Sequence, residues 1–281
     1  MMKEILSVLS SNSALVEAEL NKLFFAKDPD YKVLFDSMSY SALGGGKRVR
    51  PTLTLEFARM LGGNERAALT LAVAVELVHT YSLIHDDLPC MDDDDMRRGK
   101  PSNHKVYGEA TALLAGAALL TMAFSVICSE GSLSDGAKIK AVRLLSDCAG
   151  VNGMIGGQQI DLIGETRRLS ENEHKKMNQL KTGALIKCAA LLGCIAADAD
   201  GEAYAAAESY AECVGLAFQV TDDLLDIGEE DEKTTYLSFM SVEAAKKYAS
   251  ELTEKAVSSI SGYESNGVLC ALAEYLKDRS I

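Results

Sequence analysis

The sequence is poor in the residues and patterns that favour β-structure. Of its 281 residues only four are proline, and runs that alternate Val, Ile, Thr or Tyr with polar residues are almost absent. Alanine, leucine and glutamate recur throughout, and this composition favours helix over sheet. The chain is long enough to bury a substantial core in one large domain. We therefore expect an all-α protein.

An excess of positive charge is also lacking. The 28 Lys and Arg residues are outnumbered by 41 Asp and Glu residues, which gives a formal net charge of −13. Coulomb repulsion makes nucleic acid and anionic membrane surfaces poor partners for such a chain. An acidic protein can still bind anionic substrates if its carboxylates first collect divalent cations.

The seven cysteines include no C-x-x-C pair. Their scatter argues against a disulfide framework or a zinc site and favours reduced core residues. The longest apolar run, residues 69–84, is interrupted by Glu76 and His79 and is too short to span a bilayer comfortably. We therefore expect no membrane insertion. The N-terminal segment carries Glu4 and soon becomes amphipathic, unlike a signal peptide, which indicates a cytoplasmic protein.

Apolar residues recur with helical spacing along most of the chain. Glycine, serine or asparagine stands at most joins between these segments, and no proline- or serine-rich linker divides them. The pattern predicts one domain over residues 1–281, a bundle of about ten helices. The clearest predicted helices are 3–25, 52–61, 65–86, 109–129, 136–163, 171–197, 201–227 and 241–259.

A dense acidic segment follows the most apolar of these helices. From Asp86 to Asp95 the sequence places six aspartates in ten positions, and like charges at this density repel one another unless cations neutralise them. Asp86 and Asp87 end the apolar helix, and Pro89 breaks it so that Asp92 can fold back towards the pair. Taken alone, the segment fits a solvated acidic loop about as well as a metal site.

A second carboxylate cluster changes this balance. Asp222 and Asp226 are four residues apart on one face of a predicted helix, and Asp223 lies about 100° round from Asp222. The neighbouring residues are apolar, and carboxylates in such surroundings are costly unless they bind a metal or a partner. Two such clusters on separate helices predict a facing pair that binds Mg²⁺ through oxygen ligands.

Basic side chains stand where a diphosphate site would need them. Lys47 and Arg50 flank the glycine loop 44–46, whose backbone can approach a phosphate closely. The other candidates are His79 on the apolar helix, Arg97 and Arg98 after the first acidic cluster, and Lys181 before Thr182. Each alone has an ordinary structural explanation, such as a core histidine or a salt bridge. Together they favour a site for an anionic substrate.

These motifs resemble those of the trans-isoprenyl diphosphate synthases, and most closely the bacterial type of farnesyl diphosphate synthase. From about residue 40 to the C-terminus, the matching stretches are GGGKRVRP, LVHTYSLIHDDLPCMDDDDMRRGKPSNHKVYGEA, GGQQIDL, LKTGALI and GLAFQVTDDLLD. The resemblance implies an all-helical bundle around a deep central cavity, normally a homodimer. It also implies condensation of isopentenyl diphosphate with dimethylallyl or geranyl diphosphate, with Mg²⁺, or Mn²⁺ in its place, as cofactor.

The resemblance further implies roles for individual residues. About three Mg²⁺ ions would bind to Asp86, Asp87 and Asp92 of the first motif and to Asp222, Asp223 and Asp226 of the second. Arg97 and Lys181 would hold the allylic diphosphate, while Lys47, Arg50, His79 and Arg98 would hold that of isopentenyl diphosphate. Thr182 and Gln219 would line the reacting carbon, and Tyr81, next to Ser82, would stop the growing tail at C15.

Other interpretations share part of this pattern. A geranylgeranyl diphosphate synthase has the same motifs with a deeper pocket for the tail. A terpene cyclase normally carries a different second metal motif. A non-catalytic partner subunit typically loses one aspartate motif, whereas this chain retains both.

The chain departs from the family after the second motif. Family members usually carry a longer stretch, with a glycine-lysine pair and a G-x-D, before K-T-T-Y, whereas here Gly228 leads almost directly to Lys233 and Thr234. A loop that closes over substrate is mobile without it, which favours a loop missing near residues 228–232 over a genuine deletion. With a genuine deletion, Lys233 would be the nearby candidate for binding diphosphate.

Overall fold

The computed structural model describes residues 2–25, 28–227 and 234–278. The described helices are α1 (Met2–Leu23), α2 (Lys32–Ala42), α3 (Val49–Met60), α4 (Glu65–Asp86), α5 (Asn103–Tyr107), α6 (Glu109–Ser129), α7 (Asp135–Ala149), α8 (Met154–Thr166), α9 (Glu171–Asn178), α10 (Ala184–Ala196), α11 (Gly201–Leu225), α12 (Val242–Ser259) and α13 (Gly267–Lys277). A π-helical turn, Gln179–Gly183, joins α9 to α10. The all-α prediction is confirmed, with thirteen α-helices among the described residues. Lys233 and the predicted missing loop near 228–232 lie outside the described residues.

The bundle is built around α4 and α10. Every residue of α10 except Lys187 is buried, and most of α4 is buried as well. Helices that are apolar on all sides belong in a core rather than at a surface. The two helices pack against each other and against α3, while α6 and α11 close the bundle on either side. The acidic C-terminal end of α4 is thereby held on a rigid element.

One predicted helix proves to be two. The stretch 136–163 divides into α7 and α8 around residues 150–153. A Cβ atom on Gly153 would lie 2.0 Å from the carbonyl oxygen of Cys148, so the backbone turns too tightly there for any side chain. The helical prediction across this break was therefore wrong. The described helices α2, α5 and α13 were not among those predicted.

A short antiparallel hairpin links α4 to α5, and the sequence did not predict it. It pairs β1 (Met96–Arg97) with β2 (Lys100–Pro101). Its two turn residues, Arg98 and Gly99, have φ angles of 53° and 73°, as the tight turns that suit twisted hairpins require. The hairpin therefore carries both predicted arginines on its tip.

Within the described part of the chain, three helical stretches are long and apolar enough to cross a membrane by length and composition alone: Glu65–Asp86, Glu109–Ser129 and Glu171–Ala196. Within the bundle, 78% of the apolar window of the first and 61% of the third are buried, against 33% for α6. On α6, Leu113 and Leu114 are 51% and 60% exposed. This helix therefore presents an apolar face on the outside of the described chain.

Candidate active site

A buried arginine fastens the glycine loop to the core. The side chain of Arg48 is fully buried, forms an ion pair with the buried Glu76 of α4, and donates a hydrogen bond of 2.6 Å to the carbonyl oxygen of Ala42. Arg48 also has a left-handed backbone, with φ of 47°. Because Arg48 turns inward, the two neighbouring basic residues, Lys47 in the loop and Arg50 on α3, are left to face the site.

Three of the predicted substrate-binding residues lie together beside this loop. The Nη1 atom of Arg50 lies 3.4 Å from Nε2 of His79. Arg98 reaches back from the hairpin and donates a hydrogen bond to the carbonyl oxygen of Gly45. Lys47 stands at the edge of the group, with its Nζ 5.7 Å from the centre of the Tyr275 ring of α13.

This basic cluster is electrostatically unfavourable without an anion. Burial lowers the pKa of Arg50 to about 10, and the charge of Arg98 contributes to the shift. Burial, together with the charges of Arg50 and Arg98, also holds the pKa of His79 well below its usual value. Positive groups that depress one another's pKa values in this way would be stabilised by a bound anion.

The first acidic segment folds back on itself. The amide of Asp92 donates a hydrogen bond of 2.9 Å to the carbonyl oxygen of Asp86, so the break at Pro89 returns Asp92 to the end of α4. Burial raises the pKa of Asp86 to about 6, and the negative charge of Asp92 adds to the effect. The Oδ1 atom of Asp92 is buried without a hydrogen-bond partner among the described residues.

Asp87 is already paired within the protein. Its Oδ1 accepts hydrogen bonds from Nε of Arg97, at 2.8 Å, and from Nη2 of the same side chain. Arg97 also donates to Asp94 at 2.7 Å. The hairpin arginine is thus fixed beside the end of α4, and Asp87 serves at least to position it.

The predicted residues Lys181 and Thr182 lie in the π-helical turn, a feature often found at functional sites. The Nζ of Lys181 lies 2.5 Å from Oδ2 of Asp161 on α8. A Cβ atom on Gly157 would lie 2.1 Å from the backbone nitrogen of Lys181, so α8 contacts the turn directly through that glycine. Asp161 was not among the predicted site residues, although the GGQQIDL stretch that contains it was recognised.

The second acidic cluster ends α11. The amide of Asp226 caps the helix by donating to the carbonyl oxygen of Asp222 at 3.1 Å. Oδ2 of Asp223 accepts a hydrogen bond of 2.6 Å from the amide of Tyr236. Burial raises the pKa of Asp223 to about 6 in spite of that bond, and the charges of Asp222 and Asp226 act in the same direction.

Both acidic helix ends approach the π-helical turn. The positive charge of Lys181 acts on Asp86 and opposes the rise in its pKa, which places the turn close to the end of α4. Helix α11 packs against the same turn, and its Gln219 lies 3.5 Å from Asn178, the residue before the turn. The end of α4 and the part of α11 around Gln219 therefore both lie near this turn.

Gln219 also lines a cavity of about 670 Å³. The cavity is bounded by α7, α10, α11, α12 and the π-helical turn, and none of its described lining residues belongs to α4. The structure thus places Gln219 beside Asn178 and this cavity, while Lys181 and Thr182 belong to the turn whose Gln179, Leu180 and Gly183 line it.

The two predicted chain-length residues lie on α4. Tyr81 is 5% exposed, and its ring packs edge-on against His85 with centroids 5.6 Å apart. Burial, with the charge of Asp86, raises the pKa of Tyr81 to about 12. Ser82 donates a hydrogen bond of 2.9 Å to the carbonyl oxygen of His79.

The carboxylates fit a hard divalent cation. All six candidate ligands offer oxygen atoms, as Mg²⁺ prefers. The unpaired buried oxygen of Asp92 and the raised pKa values of Asp86 and Asp223 show carboxylates that the protein alone does not fully stabilise. A bound cation would supply the missing positive charge.

Comparison with known proteins identifies the family and supports the fold. A family model described as polyprenyl synthetase matches residues 31–253. The farnesyl diphosphate synthase of Bacillus subtilis (strain 168) is 40% identical over 262 residues, covering 88% of each chain. The chloroplastic geranylgeranyl pyrophosphate synthase of Capsicum annuum is 39% identical over 288 residues, covering 96% of this chain and 76% of that protein. The apo crystal structure of an FPP/GFPP synthase from Zymomonas mobilis, 34% identical, matches 98% of this chain and 99% of its own with a TM-score of 0.93. Since the family model spans most of its length, the chain belongs to the polyprenyl synthetase family.

Proposed function

We propose that this short-chain trans-prenyltransferase makes farnesyl diphosphate from isopentenyl diphosphate and dimethylallyl or geranyl diphosphate. The proposal is carried by one arrangement: two acidic helix ends approach the turn that holds Lys181, while a separate basic cluster lies beside the glycine loop. Such an arrangement offers one metal-assisted and one purely basic site for two diphosphates.

We assign the metal to the two aspartate clusters, with Asp86, Asp92, Asp222, Asp223 and Asp226 as ligands and Asp87 shared with Arg97. Mg²⁺, when bound, would neutralise the charge that builds on the departing diphosphate. Lys181 and Arg97 lie beside these carboxylates and would bind the same phosphate oxygens by charge-assisted hydrogen bonds. Asp161 would hold Lys181 in place in the absence of substrate.

The basic cluster would hold the second substrate. Arg50, His79 and Arg98, with Lys47 at the edge, provide the donors for the diphosphate of isopentenyl diphosphate. Fixing the two substrates side by side makes attack of the double bond on the allylic carbon effectively unimolecular. The oxygen dipole of Thr182 would stabilise the developing cation, and the proton lost at the end would pass to the released diphosphate.

Product length is the point on which the relatives differ, because their names include both farnesyl and geranylgeranyl synthases. We assign the C15 limit to Tyr81, whose buried ring lies on α4 five residues before Asp86. Tyr81→Ala is expected to shift the main product from C15 to C20 or longer, since the tail would gain the volume of the ring. Chromatography of the dephosphorylated products measures this.

Tyr81→Phe is the matched control for this prediction. It keeps the ring and removes the hydroxyl, so the product is expected to stay at C15. An unaltered product distribution in Tyr81→Ala would place the limit elsewhere.

For the parent chain, C20 as the main product would favour a geranylgeranyl synthase. Absence of product from both C5 and C10 allylic substrates would overturn the enzymatic proposal and favour a partner subunit.

We also propose a homodimer, with the exposed apolar face of α6 covered by a second copy. Leu114→Glu on this face is expected to reduce the mass measured by light scattering from twice the chain mass to that of a single chain, because a buried unpaired carboxylate opposes association. Val151→Glu, at a site 77% exposed between α7 and α8, is the control and should leave the dimer intact. A dimer that persists in Leu114→Glu would exclude this face.

A further inference from the structure

A second group of metal-binding residues lies beside the first aspartate motif and outside the proposed catalytic set. Asp93, Asp95 and His104 each offer one ligand atom, and these atoms all lie within 4.8 Å of one another. Two ligands of one metal ion, each about 2.1 Å from it, are at most about 4.2 Å apart. Three ligands of one tetrahedral ion are closer still, about 3.4 Å from one another, so atoms near the 4.8 Å limit need to close by about 1.4 Å to share an ion.

His104 provides an independent indication of a ligand. Its side chain is buried, with the residue 6% exposed, yet neither ring nitrogen has a hydrogen-bond partner among the described residues. Buried polar groups are nearly always paired, and an unpaired one costs about 1–3 kcal/mol. Here the unpaired imidazole lies against two exposed carboxylates. A cation would pair the ring nitrogen and neutralise both acids at once.

We propose that Asp93, Asp95 and His104 bind one divalent transition-metal ion, separately from the ions at Asp86 and Asp222. The donor set favours this class of ion. Mg²⁺ prefers oxygen ligands alone, whereas an imidazole nitrogen with two carboxylates suits Mn²⁺, Co²⁺ or Zn²⁺. The site goes beyond the proposed condensation, and its existence does not depend on that activity.

The position of the site gives it a structural effect. Asp95 immediately precedes β1, and His104 lies just after β2, on α5. The amide of Ser102 already donates a hydrogen bond of 2.9 Å to the carbonyl oxygen of Asp95, so the two ends of the hairpin are adjacent. An ion bound by both side chains would fasten the hairpin base and limit the motion of Arg97 and Arg98 at its tip.

Lys105 competes for the same carboxylate. Its Nζ lies 2.6 Å from Oδ1 of Asp95, and its side chain is 41% exposed, so it can move into solvent when a metal ion arrives. Two opposite effects on affinity follow. Loss of Asp95 removes a ligand and weakens metal binding, whereas loss of the lysine charge frees the carboxylate and strengthens it.

The test is a Zn²⁺ titration of the full chain in excess Mg²⁺ and without diphosphate, followed by ¹⁵N NMR of the imidazoles. The chain has four histidines, so the signals of His104 can be compared with the other three. We expect one equivalent of Zn²⁺ to shift the His104 ring nitrogens and leave the others unchanged. The excess Mg²⁺ competes with Zn²⁺ for the oxygen-only sites. Because no diphosphate substrate is present, the NMR readout does not depend on turnover.

Three variants sharpen this experiment. Asp95→Asn is expected to weaken Zn²⁺ binding at least about 10-fold, since loss of even a supporting partner of a ligand has an effect of that size. Lys105→Met is expected to tighten it. Asp36→Asn, which removes another exposed aspartate paired with a lysine at 2.6 Å, should change nothing. Shifts at the other histidines instead of His104, or equal affinity in Asp95→Asn, would overturn the proposal.

Discussion

Replacing Asp86 by alanine is expected to lower the rate of prenyl condensation by at least about 10²–10³-fold, and Asp222→Ala should have an effect of the same size. Each substitution removes one proposed metal ligand from a cluster whose neighbouring carboxylates remain. The charge on the departing diphosphate would then be neutralised less completely in the transition state. The measurement is the initial rate of condensation at saturating Mg²⁺ and substrates.

The fold should survive both substitutions, because each relieves repulsion between like charges. The helical circular dichroism signal should therefore match that of the parent chain. Asp135→Ala is the control, since its side chain is 97% exposed at the start of α7 and lies outside the proposed site. Turnover within about twofold of the parent in either variant would remove that residue from the mechanism.

Glu76→Leu is expected to destabilise the protein by about 3–5 kcal/mol, as breaking one side of a buried ion pair usually does. The guanidinium of Arg48 is fully buried and the carboxylate of Glu76 is 2% exposed. Without Glu76, the charge of Arg48 would remain in the core, with the partly exposed Glu17 at 3.4 Å as its remaining acidic partner. Urea unfolding followed by circular dichroism measures the loss.

The double variant Arg48→Met, Glu76→Leu distinguishes the cost of leaving the charge of Arg48 uncompensated from the cost of lost packing. Replacing both charges by apolar side chains is often nearly neutral, so most of the lost stability should return. Asp36→Asn breaks an exposed pair with Lys32 and should cost less than about 1 kcal/mol. A double variant as unstable as Glu76→Leu would show that the cost came from lost packing instead of an uncompensated charge.

Helical periodicity predicted most of the fold because the core helices are long and apolar. It failed where the apolar pattern continues across a change in the backbone, as at the tight turn of Gly153 between α7 and α8. The π-helical turn was missed for a similar reason, since its residues keep helical backbone angles at both ends. The two-residue strands of the hairpin are too short to produce an alternating pattern.

The motifs indicated which residues belong to the site, but not how their side chains pair. Arg48 and Arg50 are two residues apart in one basic stretch, yet the first forms an ion pair in the core and the second contacts His79. The pair of Lys181 with Asp161 joins residues twenty positions apart on different helices. Pairings of this kind follow from helix packing, which sequence spacing alone does not determine.

The extra residue of the π-helical turn is accommodated locally. Its wider hydrogen-bond ring takes up one more residue than an α-helical turn, so every side chain after Gly183 is rotated by about 100° relative to an uninterrupted helix of the same number of residues. Deleting a single residue within Gln179–Gly183 would restore ordinary winding and leave the side chains of α10 on their present faces, against α3 and α4. The extra residue therefore changes the shape of the turn that presents Lys181 and Thr182, and leaves the packing of α10 unchanged.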